Sequence, residues 1–180
     1  MNGKMLVLRS QLAAALLLAG SIGPAVAQER CKTAFNVPAA DTTYPAQHTV
    51  DVADVPGHQV RIFELRRKVS NAPANCEGHK LVESRQWGYS DYVERNGRSW
   101  GYGEHVLDNG DRIFFTFDGT TRTVAGPDGS TRSTYTGVDL WNGGTGRYKD
   151  VRGIERQTAA FNPEKNFNEA TFEAEYSFDK

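Results

Sequence analysis

Apolar and polar side chains alternate along most of the chain after residue 57. A period of two is typical of β-strands that pack one face on a core. The alternation predicts strands at Gln59–Val69, Lys80–Val93, Ser99–Leu107, Arg112–Val124, Arg132–Trp141, Gly153–Phe161 and Ala170–Phe178. Residues 28–57, with spaced prolines, predict an extended segment with one short strand near His48–Val52. We therefore expect seven or eight strands.

Turn-forming residues separate these strands. Asn-Gly pairs lie within Glu94–Gly97 and Asp108–Asp111, and Pro and Gly residues mark a third turn at Gly126–Gly129. The best candidate for a short helix is Thr145–Val151. Strands joined by tight turns favour an antiparallel meander, which removes its exposed edges most simply by closing into a barrel. The sequence therefore predicts an all-β protein, a closed barrel of seven or eight antiparallel strands, with a β-sandwich as the competing architecture.

The N-terminus has the three parts of a secretory signal peptide. Lys4 and Arg9 precede an apolar run at Leu12–Gly20, and the small residues Ala25-Val26-Ala27 form a cleavage site. The apolar run is shorter than the roughly 20 residues of a membrane span. We predict a signal peptide at 1–27, an extended N-terminal segment at 28–57 and a barrel domain at 58–180. The released protein would be secreted or periplasmic, with no membrane span.

The chain has two cysteines, Cys31 and Cys76, both in the part that would be exported. An oxidising compartment favours a disulfide between them. A metal site would need further Cys or His residues at a recognisable spacing.

Charge and motif content exclude several classes of function. The formal net charge is −1, so no basic excess is present to bind nucleic acid. The four histidines, His48, His58, His79 and His105, are scattered without the spacing of a metal site. We therefore predict no metal and no cofactor. No Gly-x-Ser-x-Gly elbow is present, so a serine hydrolase lacks its sequence cue.

One glycine-rich run resembles a known signature. Gly143–Gly153 (GGTGRYKDVRG) is similar to the GGTG(K/R)Y motif of the allene oxide cyclase barrel-like superfamily, which includes dirigent-type proteins and secreted bacterial proteins. Asp108–Asp111 and the following Phe114–Thr120 resemble an upstream strand of the bacterial members. The resemblance covers about residues 80–178 and implies an eight-stranded antiparallel barrel with a central cavity. It implies no particular chemistry, because the catalytic residues of the plant cyclases have no one-to-one match here.

Strand parity selects a candidate site. Trp100, Tyr102 and Glu104 share one face of their strand, and Tyr135, Asp139 and Trp141 share one face of theirs. If both faces point inward, they form an aromatic ligand-binding pocket with two carboxylates. Glu104, and after it Asp139, are the candidate catalytic groups, because burial raises a carboxyl pKa as acid–base catalysis requires.

Parity alone leaves the opposite assignment open. In that alternative, the interior would be filled by Phe114, Val138, Leu140 and Ile154. Trp87, Tyr89 and Asp91 share a further face on an earlier strand.

Three functions follow from these alternatives. The first is an exported barrel that binds a small apolar or aromatic molecule in its cavity. The second is a cyclase or isomerase that uses a cavity carboxylate, and the third is a protein-interaction scaffold without a ligand. A continuous cavity favours the first two, and a packed interior favours the third.

Overall fold

The computed structural model describes residues 30–127, 130–162 and 167–179, so the predicted signal peptide at 1–27 lies outside the described residues. The strands are β1 Cys31–Val37, β2 Thr42–Asp51, β3 His58–Lys68, β4 Leu81–Val93, β5 Asn96–Leu107, β6 Arg112–Ala125, β7 Thr131–Gly144, β8 Val151–Asn162 and β9 Phe167–Phe178. Two single 3₁₀ turns, Ala39–Asp41 and Gly146–Tyr148, complete the elements. The second occupies part of the segment predicted as a short helix.

The described strands form one antiparallel sheet in the order β1-β9-β8-β7-β6-β5-β4-β3-β2. The prediction of an all-β antiparallel meander is therefore confirmed, in one sheet rather than the two of a sandwich. Nine strands replace the expected seven or eight, because residues 28–57 contribute both β1 and a longer β2. β1 and β2 are the two edge strands, so closure of the sheet into a barrel is not confirmed.

The sheet is strongly curled. The side-chain amides of Gln86 on β4 and Gln157 on β8 approach to 3.3 Å, although these strands are four positions apart and would lie about 19 Å apart in a flat sheet. Across the sheet, Asn168 on β9 donates a hydrogen bond to the hydroxyl of Tyr44 on β2 at 2.7 Å. These side chains lie on the concave face, which forms the interior of the molecule.

The segment between β3 and β4 covers one end of the curled sheet. Val69 and Ala72 are buried there against the interior. Asn75 Nδ2 donates a hydrogen bond to the Tyr148 hydroxyl at 2.7 Å. The predicted disulfide between Cys31 and Cys76 is confirmed and ties this segment to edge strand β1, with a Cα–Cα distance of 6.0 Å.

The β4–β5 hairpin turn lies two residues before the position that its Asn-Gly pair indicates. Val93 and Asn96 are paired, so Glu94 and Arg95 form the loop, with φ of 51° and 64°. Two positive φ angles are those of a type I′ turn, whose twist matches that of the flanking strands. The predicted turn at Gly126–Gly129 lies partly outside the described residues.

Candidate functional site

The structure divides the six predicted pocket residues between the two faces of the sheet. Tyr135, Asp139 and Trp141 lie on the concave face and are buried. Trp100 and Tyr102 lie on the convex face, where Tyr102 is 67% exposed. The six residues therefore do not form one cavity.

The alternative interior set also lies on the convex face. Its four members, Phe114, Val138, Leu140 and Ile154, are exposed. Trp87 and Tyr89 are exposed on the same outer surface.

Glu104 belongs to a surface ion-pair network. Its carboxylate accepts hydrogen bonds from Arg85 Nη1 at 2.9 Å and from Arg112 Nη1 at 3.2 Å. Because alternate strand residues share a face, Glu104 points to the same side as Trp100 and Tyr102. Its burial comes from the two arginines that cover it, and it does not reach the interior.

A cavity of about 150 Å³ lies on the concave face. Its apolar and aromatic walls are formed by Tyr44, Phe63, Leu65, Phe117, Tyr135, Ala159, Phe161 and Phe167. Its polar lining consists of Thr42, Gln47, Arg61, Arg67, Gln86, Tyr92, Ser99, Thr121, Gln157 and Asn168. At about 30 Å³ for each water molecule, the volume suits roughly five waters or a ligand the size of a benzene ring.

Several buried polar atoms of this lining have no hydrogen-bond partner in the described part of the chain. They are Thr42 Oγ1, Arg61 Nε, Arg67 Nε, Tyr135 Oη and Asn168 Oδ1. Most buried polar atoms in proteins are paired, and unpaired ones inside a cavity are commonly satisfied by water or ligand. The cavity therefore combines aromatic walls with polar groups that have no hydrogen-bond partner in the described chain.

Arg67 lies deepest among the charged groups of the cavity. It is 2% exposed and lies near the covered end of β3. Its Nη1 donates a hydrogen bond to Gln86 Oε1 at 2.9 Å, and the side-chain amide of Gln157 lies 2.9 Å from Nη2. The guanidinium carbon is 5.4 Å from the centre of the Phe172 ring. Neutral amides and an aromatic ring thus hold a buried cation.

Comparison with family models, with curated proteins and with solved structures finds no match to this chain.

A pair of buried acids lies beyond the lining of this cavity. Asp139 and Glu155 face each other across β7 and β8, and His105 Nε2 is 3.2 Å from Glu155 Oε1. Burial raises the pKa of Asp139 well above its usual value and that of Glu155 to about 8. Burial also lowers the pKa of His105 to about 4. At neutral pH the histidine is therefore uncharged and the acids hold protons.

Sequence reasoning did not identify most of this site. Arg61 and Arg67 lie in a strand with charged residues on both faces, so parity gave no reason to choose them. His105 was grouped with scattered histidines, and its partner Glu155 is 50 residues away in the chain. The ladder register and the curl of the sheet together bring these groups into contact.

No helix in the described residues is long and apolar enough to cross a membrane. No group of three or more His, Cys, Asp or Glu residues is placed there to hold a metal ion.

Proposed function

We propose that this protein is exported and binds a small apolar or aromatic molecule on the concave face of its curled sheet. The observation that carries the proposal is the cavity lined by Phe63, Phe117 and Phe161, in which polar atoms such as Tyr135 Oη have no partner among the described residues. Burying ligand surface against these rings would contribute about 25 cal/mol per Å². The polar side chains of the lining would fix its orientation.

The barrel part of the proposal is supported by the two motifs that resemble the allene oxide cyclase barrel-like superfamily. These motifs contact each other: the backbone N–H of Arg147 donates to Asp111 Oδ2 at 3.3 Å, and that of Arg112 donates to Thr145 Oγ1 at 2.9 Å. Gly146 has φ of 51°, and a Cβ there would lie 2.0 Å from Asp111 Oδ1. We infer a barrel-like fold of this kind with a gap between β1 and β2.

Export is supported by the signal-like N-terminus and by the disulfide, which oxidising compartments favour. We expect mass spectrometry of the exported protein to find an N-terminus at Gln28. An exported chain that retains Met1 would contradict this part of the proposal.

Ligand binding is tested with indole and benzyl alcohol as neutral aromatic probes. We expect either probe to shift the NMR signals of Phe117 and Ala159 in the cavity wall. Ala159→Leu places a larger side chain in the cavity and should abolish these shifts. Thr158→Leu is the matched control, because Thr158 is the preceding residue and is exposed on the other face.

Shifts confined to the convex face, or equal binding to Ala159→Leu and to the unaltered protein, would overturn the proposed site. Binding of neither probe by the folded protein would favour the scaffold alternative.

A further inference from the structure

The cavity carries positive charge without negative charge. Arg61 and Arg67 line it, and its lining includes no Asp or Glu among the residues that the structure describes. Both arginines are on β3, six residues apart, which separates their Cα atoms by about 20 Å along the strand. Arg61 is half-buried, whereas Arg67 is fully buried.

Neither arginine forms an ion pair within the described ranges. Arg61 donates hydrogen bonds to Gln47 Oε1 at 3.0 Å and to Ser90 Oγ at 3.2 Å, and its guanidinium lies 4.6 Å from the centre of the Phe63 ring. Arg67 is held by the two amides described above. On the convex face, by contrast, Arg66 does form an ion pair, with Glu64 at 2.6 Å.

The buried acids do not supply the missing charge. Asp139 and Glu155 form no ion pair with Arg67 within 4.0 Å in the described residues. Since burial keeps these carboxyls protonated at neutral pH, little negative charge remains beside the guanidinium. A buried cation without a counter-charge is costly, so an anion that enters the cavity is favoured.

We propose that the ligand is a small carboxylate with an aromatic body, and that its carboxylate binds to the guanidinium of Arg67. This inference rests on the proposed function and names the chemical class of its ligand. Carboxylates fit the planar N–H groups of arginine, and Arg67 Nε has no other acceptor in the described chain. The ring of the ligand would pack among the phenylalanines nearer the opening.

The test compares trans-cinnamate with trans-cinnamamide, which have nearly the same shape and differ in charge. We expect cinnamate to bind about tenfold more tightly or better at pH 7, since hydrogen bonds to charged groups are roughly twice as strong as neutral ones. The Arg67 Nε–H resonance should shift with cinnamate and not with cinnamamide.

Arg67→Gln should reduce the preference for cinnamate to about equal binding of the two probes. Arg66→Gln removes the same charge from the neighbouring residue on the convex face and should keep the preference. If Arg67→Gln does not fold, two measurements on the unaltered protein still test the inference. They are the ratio of its affinities for cinnamate and cinnamamide and the shift of the Arg67 Nε–H resonance.

Equal binding of the two probes would overturn the carboxylate inference and leave the proposed aromatic site intact. Cinnamate preference that persists in folded Arg67→Gln, or that disappears in Arg66→Gln, would also overturn it. Binding of neither probe would overturn it, and the indole and benzyl alcohol experiment would show whether the proposed function fails as well.

Discussion

Asp139 and Glu155 lie directly opposite each other in the β7–β8 ladder, and neither is exposed to solvent. Two carboxyl groups at such a position cannot both ionise without strong repulsion in a medium that screens charge poorly. The two carboxyls therefore stay protonated in the folded state at pH values where they are ionised in the unfolded chain, which loses these protons near pH 4–5. This difference links protein stability to pH.

We expect stability to fall as pH rises from 6.5 to about 8. The pKa of Glu155 is raised to about 8 in the folded protein, so the folded state binds more protons than the unfolded state below that pH. The lowered pKa of His105, about 4, acts in the opposite direction, but only between about pH 4 and 6.5. Urea denaturation at several pH values measures this dependence.

Glu155→Gln isolates the contribution of Glu155. One extra proton held by the folded state over 1.5 pH units changes the free energy of unfolding by about 2 kcal/mol at most. The free energy of unfolding of the variant should therefore decline less between pH 6.5 and 8, by up to that amount. His58, whose pKa is raised chiefly by its hydrogen bond to Asp54, is retained in both proteins and cancels in the comparison. Identical slopes in the two proteins would show that Glu155 does not titrate as expected.

Removal of the disulfide should lower stability by about 4 kcal/mol. The bridge between Cys31 and Cys76 spans 45 residues, and closing a loop of that length reduces the entropy of the unfolded chain by this amount in the loop-closure treatment. The double variant Cys31→Ser, Cys76→Ser measures the loss by thermal denaturation. Reductant should destabilise the unaltered protein and leave the double variant unchanged; equal sensitivity would contradict the prediction.

Gly101→Ala should destabilise the protein by about 1–3 kcal/mol through overpacking. A Cβ at this position would lie 2.2 Å from the backbone oxygen of Trp87 and 2.7 Å from the Cα of Gly88, and backbone atoms cannot move aside as a flexible side chain can. Tyr102→Ala, at the next and mostly exposed residue, is the control and should change stability by less than about 0.5 kcal/mol. The midpoints of thermal unfolding of the two variants and the unaltered protein are compared. A Gly101→Ala variant as stable as the unaltered protein would refute the overpacking prediction.

Glu104→Gln should leave cinnamate binding unchanged. Glu104 contacts Arg85 and Arg112 on the convex face and does not line the cavity. Loss of its charge should cost about 1 kcal/mol, as expected for ion pairs near the surface. Titration with cinnamate and thermal denaturation measure the two effects, and weakened binding without loss of stability would place Glu104 in the site after all.

The sequence predicted which residues of one strand share a face, but not which faces of two strands coincide. Trp100 is paired with Asp118, and Asp118 with Val138. Paired residues point to the same side of a sheet, so Trp100 shares a face with Val138 and not with Asp139. A shift of one residue in register reverses this assignment, and register depends on turns that the Asn-Gly pairs did not locate exactly.

The glycines of β5 carried a signal that could have resolved the ambiguity. In SWGYGE, glycine alternates with Trp100 and Tyr102, so one face of the strand has almost no side-chain volume. On that face, rings from the neighbouring strand lie over the glycines: Phe115 over Gly103 and Phe117 over Gly101. A strand face that has only glycines and is covered by large rings from the next strand indicates the crowded interior. Tyr102, on the opposite face, then belongs on the outer surface.

Strand β1 finds its only ladder partner, within the described sheet, in β9. Among the described strands β1 comes first in the chain and β9 comes last, and the pairing of Cys31 with Tyr176 joins residues 145 positions apart. Such long-range pairing slows folding, because the entropy of a very long loop must be lost before the contact forms. Cys76 lies about 90 residues before β9 in the chain, so the loop that the disulfide closes is much shorter than the loop that the β1–β9 pairing closes. The disulfide can therefore hold β1 beside the segment between β3 and β4 before β9 pairs with it.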